Sequence, residues 1–195
     1  MSREVKLPKP FDRGSISIEE VLNQRRSVRD YQKAGLRLQE VAQLLWSAMG
    51  KNLHRRTAPS AGATYPLEIY LVAGEAEGLK PGLYHYSVPK HSLEEIKDQD
   101  LRKALCRASL DQRMIERAPV SLVIAADYHR TTRAYGQRGI RYVHMEVGHV
   151  GQNVSLQAVG LGMGTVMIGA FDDARVKEIL GIEEDPLYII PVGKV

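Results

Sequence analysis

The sequence predicts an α+β fold, a mixed sheet flanked by helices, built as a single domain over residues 1–195. Three observations predict it. The front of the chain is helix-rich, with capped apolar stripes. Later come apolar strand-like runs at 67–74, 120–128 and 186–194, separated by helical segments. A hydrophobic content of 44% over 195 residues suffices for one sizeable core.

The elements follow in order. Residues 1–16 carry charges and prolines but no apolar stretch, so they read as an N-terminal arm and not as a secretory signal. Ser17-Ile18-Glu19-Glu20 reads as a capping box that starts a helix running to about Arg26. Its apolar stripe is Ile18, Val21 and Leu22, and Arg25 stands at the next stripe position. A second helix presents Leu38, Val41, Leu45 and Met49, with Gly50 as its stop. APSAGATYP (58–66) is a loop of small residues that lets a flat ligand approach its backbone. LEIYLVAG is a strand, and GLYHYSV with SLEEIK forms a hairpin around Pro89-Lys90-His91. DLRKALCRASL and DQRMIERAP are helical, and Pro119 ends the second. VSLVIAADY is apolar enough to be a buried strand.

A long helix is expected over about Gln137 to Val159, with a stripe of Ile140, Val143, Val147, Val150, Val154 and Ala158. Gly148 and Gly151 interrupt it, which suggests close approach of another helix. GTVMIGAF (164–171) is expected to be a strand. Asp172 caps the next helix, Gly181 closes it, and PLYIIPVGK is the last strand.

Charge is uneven. Residues 1–60 carry net +6 and residues 100–142 net +5, in a chain of net +4. Two basic blocks suggest a localised anion site. They are neither dense enough nor sufficiently interleaved with aromatics to favour nucleic acid. No apolar run is long enough to span a membrane, and the single Cys106 fits a reducing cytoplasm. Other chemistries fit poorly. GLGMGTV lacks the dinucleotide glycine spacing and follows a helix instead of a strand. His144, Glu146 and His149 look like a metal cluster, but the two histidines are five apart, on different helix faces, so no metal site is expected. No nucleophile stands beside a base.

RRSVRDY (25–31) is the strongest signal. It places three arginines around Ser27 at the end of a helix. Planar guanidinium forks suit phosphate, although solvated arginines with one salt bridge would account for the same residues. An anion site, a small-residue loop and no catalytic side chain together fit an organic cofactor that carries its own chemistry.

RRSVRDY, PSAGATYPLEIYLV, GHVGQNVSLQAVGLGMGTVMIGAFDD and IIPVGK, in this order, resemble the FMN-dependent nitroreductase family, closest to its SagB-type dehydrogenase branch. The resemblance implies a nitroreductase-like fold and an intertwined homodimer with FMN at the subunit interface. It implies that Arg25, Arg26, Ser27 and Arg29 hold the FMN phosphate and ribityl chain. It places Pro59, Ser60, Ala61, Gly62 and Ala63 over the flavin, often from the partner subunit. Met167, Ile168, Gly169 and Ala170 would line the ring, with a backbone N–H near Gly169 or Ala170 aimed at N5. It also implies ping-pong reduction of a small aromatic, nitro or quinone-type acceptor by NAD(P)H, with flavin N5 and no side chain as the catalytic centre. The alternatives are SagB-like oxidation of azoline rings in modified peptides and a non-catalytic flavin-binding module. Two departures stand out. Ala63 occupies a position where many relatives have asparagine, and only Lys194 remains of the basic residues that often follow the last strand.

Overall fold

The computed structural model describes residues 3–195. Its centre is a seven-stranded sheet. The strands are β1 (Glu4–Lys6), β2 (Leu67–Ala73), β3 (Gly82–Ser87), β4 (Ser92–Lys97), β5 (Val120–Ala126), β6 (Met163–Thr165) and β7 (Asp185–Lys194). Their spatial order is β1-β4-β3-β2-β5-β7-β6, and every named pair is antiparallel. Parallel pairing enters through isolated bridges, among them Ser27 to Thr165.

Alternation along the central strands divides the core into two layers. Ile69, Leu71 and Ala73 of β2 and Leu122 and Ile124 of β5 face one way. There they meet α2 (Leu38–Met49) and α6 (Arg138–Gly160). Tyr70, Val72, Val123 and Ala125 face the other way, against α3 (Arg102–Ala108), α4 (Met114–Arg117) and α7 (Asp173–Leu180). A strand covered on both faces must be apolar at nearly every position, which explains the run in β5. The remaining helices are α1 (Ile18–Gln24) and α5 (Tyr128–Tyr135). No described helix is long and apolar enough to cross a membrane.

Four sequence expectations change. The N-terminal arm contributes strand β1, and Gln43 anchors it further along by bonding the Phe11 backbone N–H (2.8 Å) and carbonyl (3.2 Å). On α1 only Val21 is buried, whereas Ile18 and Leu22 are 55% and 53% exposed. Arg25 is therefore not aligned with a core stripe; it is the C-cap, with its N–H on the Val21 carbonyl. The strand expected at 164–171 stops at Thr165, and pairing resumes only at Ile168. Of the α6 glycines, Gly151 makes room for Met167 of its own chain, whose Sδ would lie 2.6 Å from an added Cβ. Gly148 faces open space.

Candidate functional site

The RRSVRDY segment is stitched to the sheet edge. The Val28 N–H donates to the Thr165 carbonyl at 2.9 Å, and the Gln32 N–H to Lys194 at 2.9 Å. Between them the Tyr31 phenol donates to the carbonyls of Val28 (3.0 Å) and Pro191 (3.3 Å). Burial pushes that phenol's pKa upward. Two glycines make the fit possible. A Cβ at Gly164 would meet Val28 at 2.6 Å, and one at Gly193 would meet the Tyr31 ring at 2.7 Å. With the backbone fixed, Arg26, Ser27 and Arg29 are exposed and Arg25 is half-buried. Arg26, Ser27 and Arg29 line a cleft of about 610 Å³ with Tyr31 and Val195. Asp30 lines the same cleft and also reaches Arg117, at 3.6 Å. Among the described residues, Arg25, Arg26 and Arg29 have no carboxylate partner. Unneutralised guanidiniums at Arg26 and Arg29 beside this cleft suit an anion, and Arg25 lies outside its lining.

The small-residue loop is held in an uncommon conformation. Gly62, Ala63 and Tyr65 all have positive φ, at +56°, +54° and +45°. Such angles cost a non-glycine residue roughly 1–2 kcal/mol, so the surroundings must hold them. Ser60 Oγ accepts from the Tyr65 N–H at 3.0 Å, the Thr64 and Thr131 hydroxyls lie 2.7 Å apart, and Arg56 stacks 4.9 Å over the Tyr65 ring. Tyr135 closes over Gly62, where an added Cβ would lie 2.5 Å from the phenol oxygen. Beneath the loop is Glu146 of α6, only 2% exposed. Burial pushes its carboxyl up to about 7, against the Ser60 hydroxyl and the Arg56 guanidinium, which favour the charge. Its Oε1 has no hydrogen-bond partner.

The third segment, Met167–Ala170, crosses β7. Ile168 bridges Ile189, and Gly169 lies against the Tyr188 ring, 3.5 Å from an added Cβ. Gln112 donates to the Ala170 carbonyl at 2.9 Å. The N–H groups of Gly169 and Ala170 donate to no other described residue. Met167 is half-buried, and Ile168 is buried with its N–H on the Ile189 carbonyl, so within this segment Gly169 and Ala170 alone present exposed, free N–H groups suited to the edge of a flat, acceptor-rich ring.

These segments are strung along the molecule. The arginines lie by Thr165 and the Val192–Lys194 end of β7, and Met167–Ala170 by Tyr188 and Ile189. The loop sits by Glu146 and α5. No hydrogen bond between described residues joins the loop to the arginine segment. Sequence reasoning missed Tyr31, Gly164, Gly193 and Glu146 as supports. Glu146 carried a signal: it stands three residues after Val143 and four before Val150, on the apolar face. Lys194 is engaged elsewhere, 3.7 Å from Glu40.

The family model described as "Nitroreductase family" matches residues 22–194. A protein of Methanocaldococcus jannaschii named as a candidate nitroreductase is 50% identical over 193 residues, 98% of this chain and 96% of that one. The trifolitoxin-processing protein TfxB of Rhizobium leguminosarum bv. trifolii is 31% identical over 142 residues, 70% of this chain. This chain spans only 38% of TfxB's length. A solved structure from Anabaena variabilis, also named as a candidate nitroreductase, superposes with a TM-score of 0.82 at 30% identity. It matches 91% of this chain, which spans 38% of that one.

Proposed function

The chain belongs to the nitroreductase family, and we propose that within it the protein is an FMN-dependent oxidoreductase reducing a small aromatic, nitro or quinone-type acceptor with NAD(P)H. The observation that carries this reading is the set of guanidiniums at Arg25, Arg26 and Arg29, fixed to the sheet edge around Ser27 without a carboxylate partner. The residues present fit FMN. Its phosphate matches the arginines, and the free N–H groups at Gly169 and Ala170 match the acceptor edge of its ring. When bound, FMN supplies reversible transfer of a hydride and its electrons, which no side chain here provides. The chain's own work is to bind and orient. The arginines neutralise phosphate, the short side chains of Ala61 and Ala63 leave room for a flat substrate, and the backbone donors stabilise negative charge on the ring.

A homodimer completes this reading. Ile18 and Leu22 of α1 and Met145 of α6 are exposed, and Gly148 opens the same helix to close approach. A second copy packed there would bring one chain's loop toward the other chain's arginines, segments that the single chain leaves apart. The TfxB likeness supports a second reading, SagB-like oxidation of azoline rings in a modified peptide, which would run the same cofactor in the opposite direction. Binding of FMN at one per chain, weakened in the Arg25→Ala variant, tests the shared part. Reduction of the bound flavin by NAD(P)H or by an azoline peptide separates the two directions.

A further inference from the structure

Glu146 is unaccounted for by flavin binding. It is 2% exposed, its Oε1 has no partner, and it lies under the loop that carries Ser60. Leaving an ionisable group buried with an unpartnered oxygen costs stability, and packing alone would be served better by leucine or glutamine at this place on the apolar face. We infer that Glu146 is the site's proton carrier, exchanging a proton with the bound acceptor through the Ser60 hydroxyl. The inference rests on the reading that this loop faces the flavin.

The chemistry requires a proton source. A quinone that becomes a hydroquinone gains two electrons and two hydrogens. One hydrogen arrives with both electrons as a hydride that originates in the nicotinamide. The other must arrive as a proton. In the proposed step the Glu146 O–H bond breaks and its proton passes to the Ser60 oxygen. The Ser60 hydroxyl proton moves to the acceptor oxygen, where the new O–H bond forms. Glu146 is left as a carboxylate and regains its proton from solvent. Ser60 suits a relay because its oxygen is held in place, accepting from the Tyr65 N–H at 3.0 Å. The groups that act on Glu146 are Ser60 and Arg56 of the loop; burial outweighs both, so the carboxyl holds its proton up to about pH 7. Such a carrier is loaded in neutral solution and close enough to it in affinity to recharge each turnover.

The test uses FMN-loaded protein, reduced anaerobically with NADPH and mixed with either of two oxidants. Benzoquinone needs a proton; ferricyanide takes single electrons and needs none. Glu146→Gln is expected to slow reoxidation by benzoquinone at least tenfold at pH 6.5, and Ser60→Ala to do the same. Glu146→Gln should leave the bleaching rate and the ferricyanide rate within about twofold of wild type. Wild type should lose benzoquinone rate above pH 7, and Glu146→Gln should show a flat profile. Infrared titration of the protein should reveal a neutral carboxyl that ionises near pH 7 and is absent in Glu146→Gln. Equal benzoquinone rates in wild type and Glu146→Gln, or a carboxyl titrating near 4.5, would overturn the assignment. Flavin that binds but is never bleached by nicotinamide overturns the reductase reading instead, and the proton donation built on it.

Discussion

Gly193 gives up its side-chain space to Tyr31: a Cβ on the glycine would lie 2.7 Å from the tyrosine ring. This contact lets Tyr31 lie over β7 and clamp the carbonyls of Val28 and Pro191 together. The arginine segment owes its position to a residue more than 160 positions away in sequence. Gly193→Val should therefore displace residues 28–31. The expected cost is about 1–3 kcal/mol of stability from overpacking, and FMN affinity should fall with it. Denaturant unfolding and flavin retention through dialysis measure the two effects. A variant with wild-type stability and flavin content would show that the clamp does not position the arginines.

Arg25 has no carboxylate partner among the described residues, so removing it breaks no internal ion pair. Arg25→Ala should leave the fold intact and weaken FMN binding by about 1.5–3 kcal/mol, the worth of a hydrogen bond to a charged group. Titration of apoprotein with FMN by fluorescence quenching reads this directly. Affinity equal to wild type would remove Arg25 from the site.

Glu146 also predicts a pH dependence of stability. Its carboxyl ionises near 4.5 in the unfolded chain and at about 7 in the fold. Between those values the native state binds the extra proton, so this residue's effect on stability becomes steadily more unfavourable as pH rises and levels off above 7. Glu146→Gln removes that dependence. It should stabilise the protein by about 1–3 kcal/mol at pH 8 and by much less at pH 4.5. Parallel urea denaturations at the two pH values check the difference. A gap that does not change with pH would mean the carboxyl titrates normally.

The exposed side chains of α1 give an assembly prediction. Leu22→Glu places a charge on a half-exposed position beside exposed Ile18. Little stability of the single chain should be lost, about 0.5 kcal/mol or less for a surface change. If a second copy covers this face, light scattering should show the mass falling from dimer to monomer, with FMN lost alongside. A Leu22→Glu dimer that still holds stoichiometric FMN would place the interface elsewhere.

Much of this architecture was legible in the sequence. Ser17, Asp172 and Gly181 act as helix boundary residues, as their types predict. The buried central strands announced themselves as apolar runs because both faces are covered. Local pattern failed where a residue's role depends on distant chain. The α1 stripe looked like a core face, but among the described residues Ile18 and Leu22 stay more than half exposed. Gly148 and Gly151 looked alike, yet one faces open space and the other accommodates Met167. β1 is three residues long and pairs with β4 some ninety residues on, so no periodicity could reveal it. Tyr31 sat inside the quoted arginine motif, but its role depends on Gly193 and Pro191, which only the folded sheet brings near. Glu146 was noticed beside two histidines as a possible metal ligand, whereas its place on the apolar face was the informative feature.

The central claim is that the cradle holds FMN and that NAD(P)H reduces it. An anaerobic titration of the FMN-loaded protein with NADPH, repeated with NADH, tests it most directly. The expected result is that the flavin band at ~450 nm, a property of the cofactor, bleaches at about one nicotinamide per bound flavin and that a quinone restores it. A protein that binds no FMN, or one whose bound flavin neither nicotinamide reduces, would contradict it.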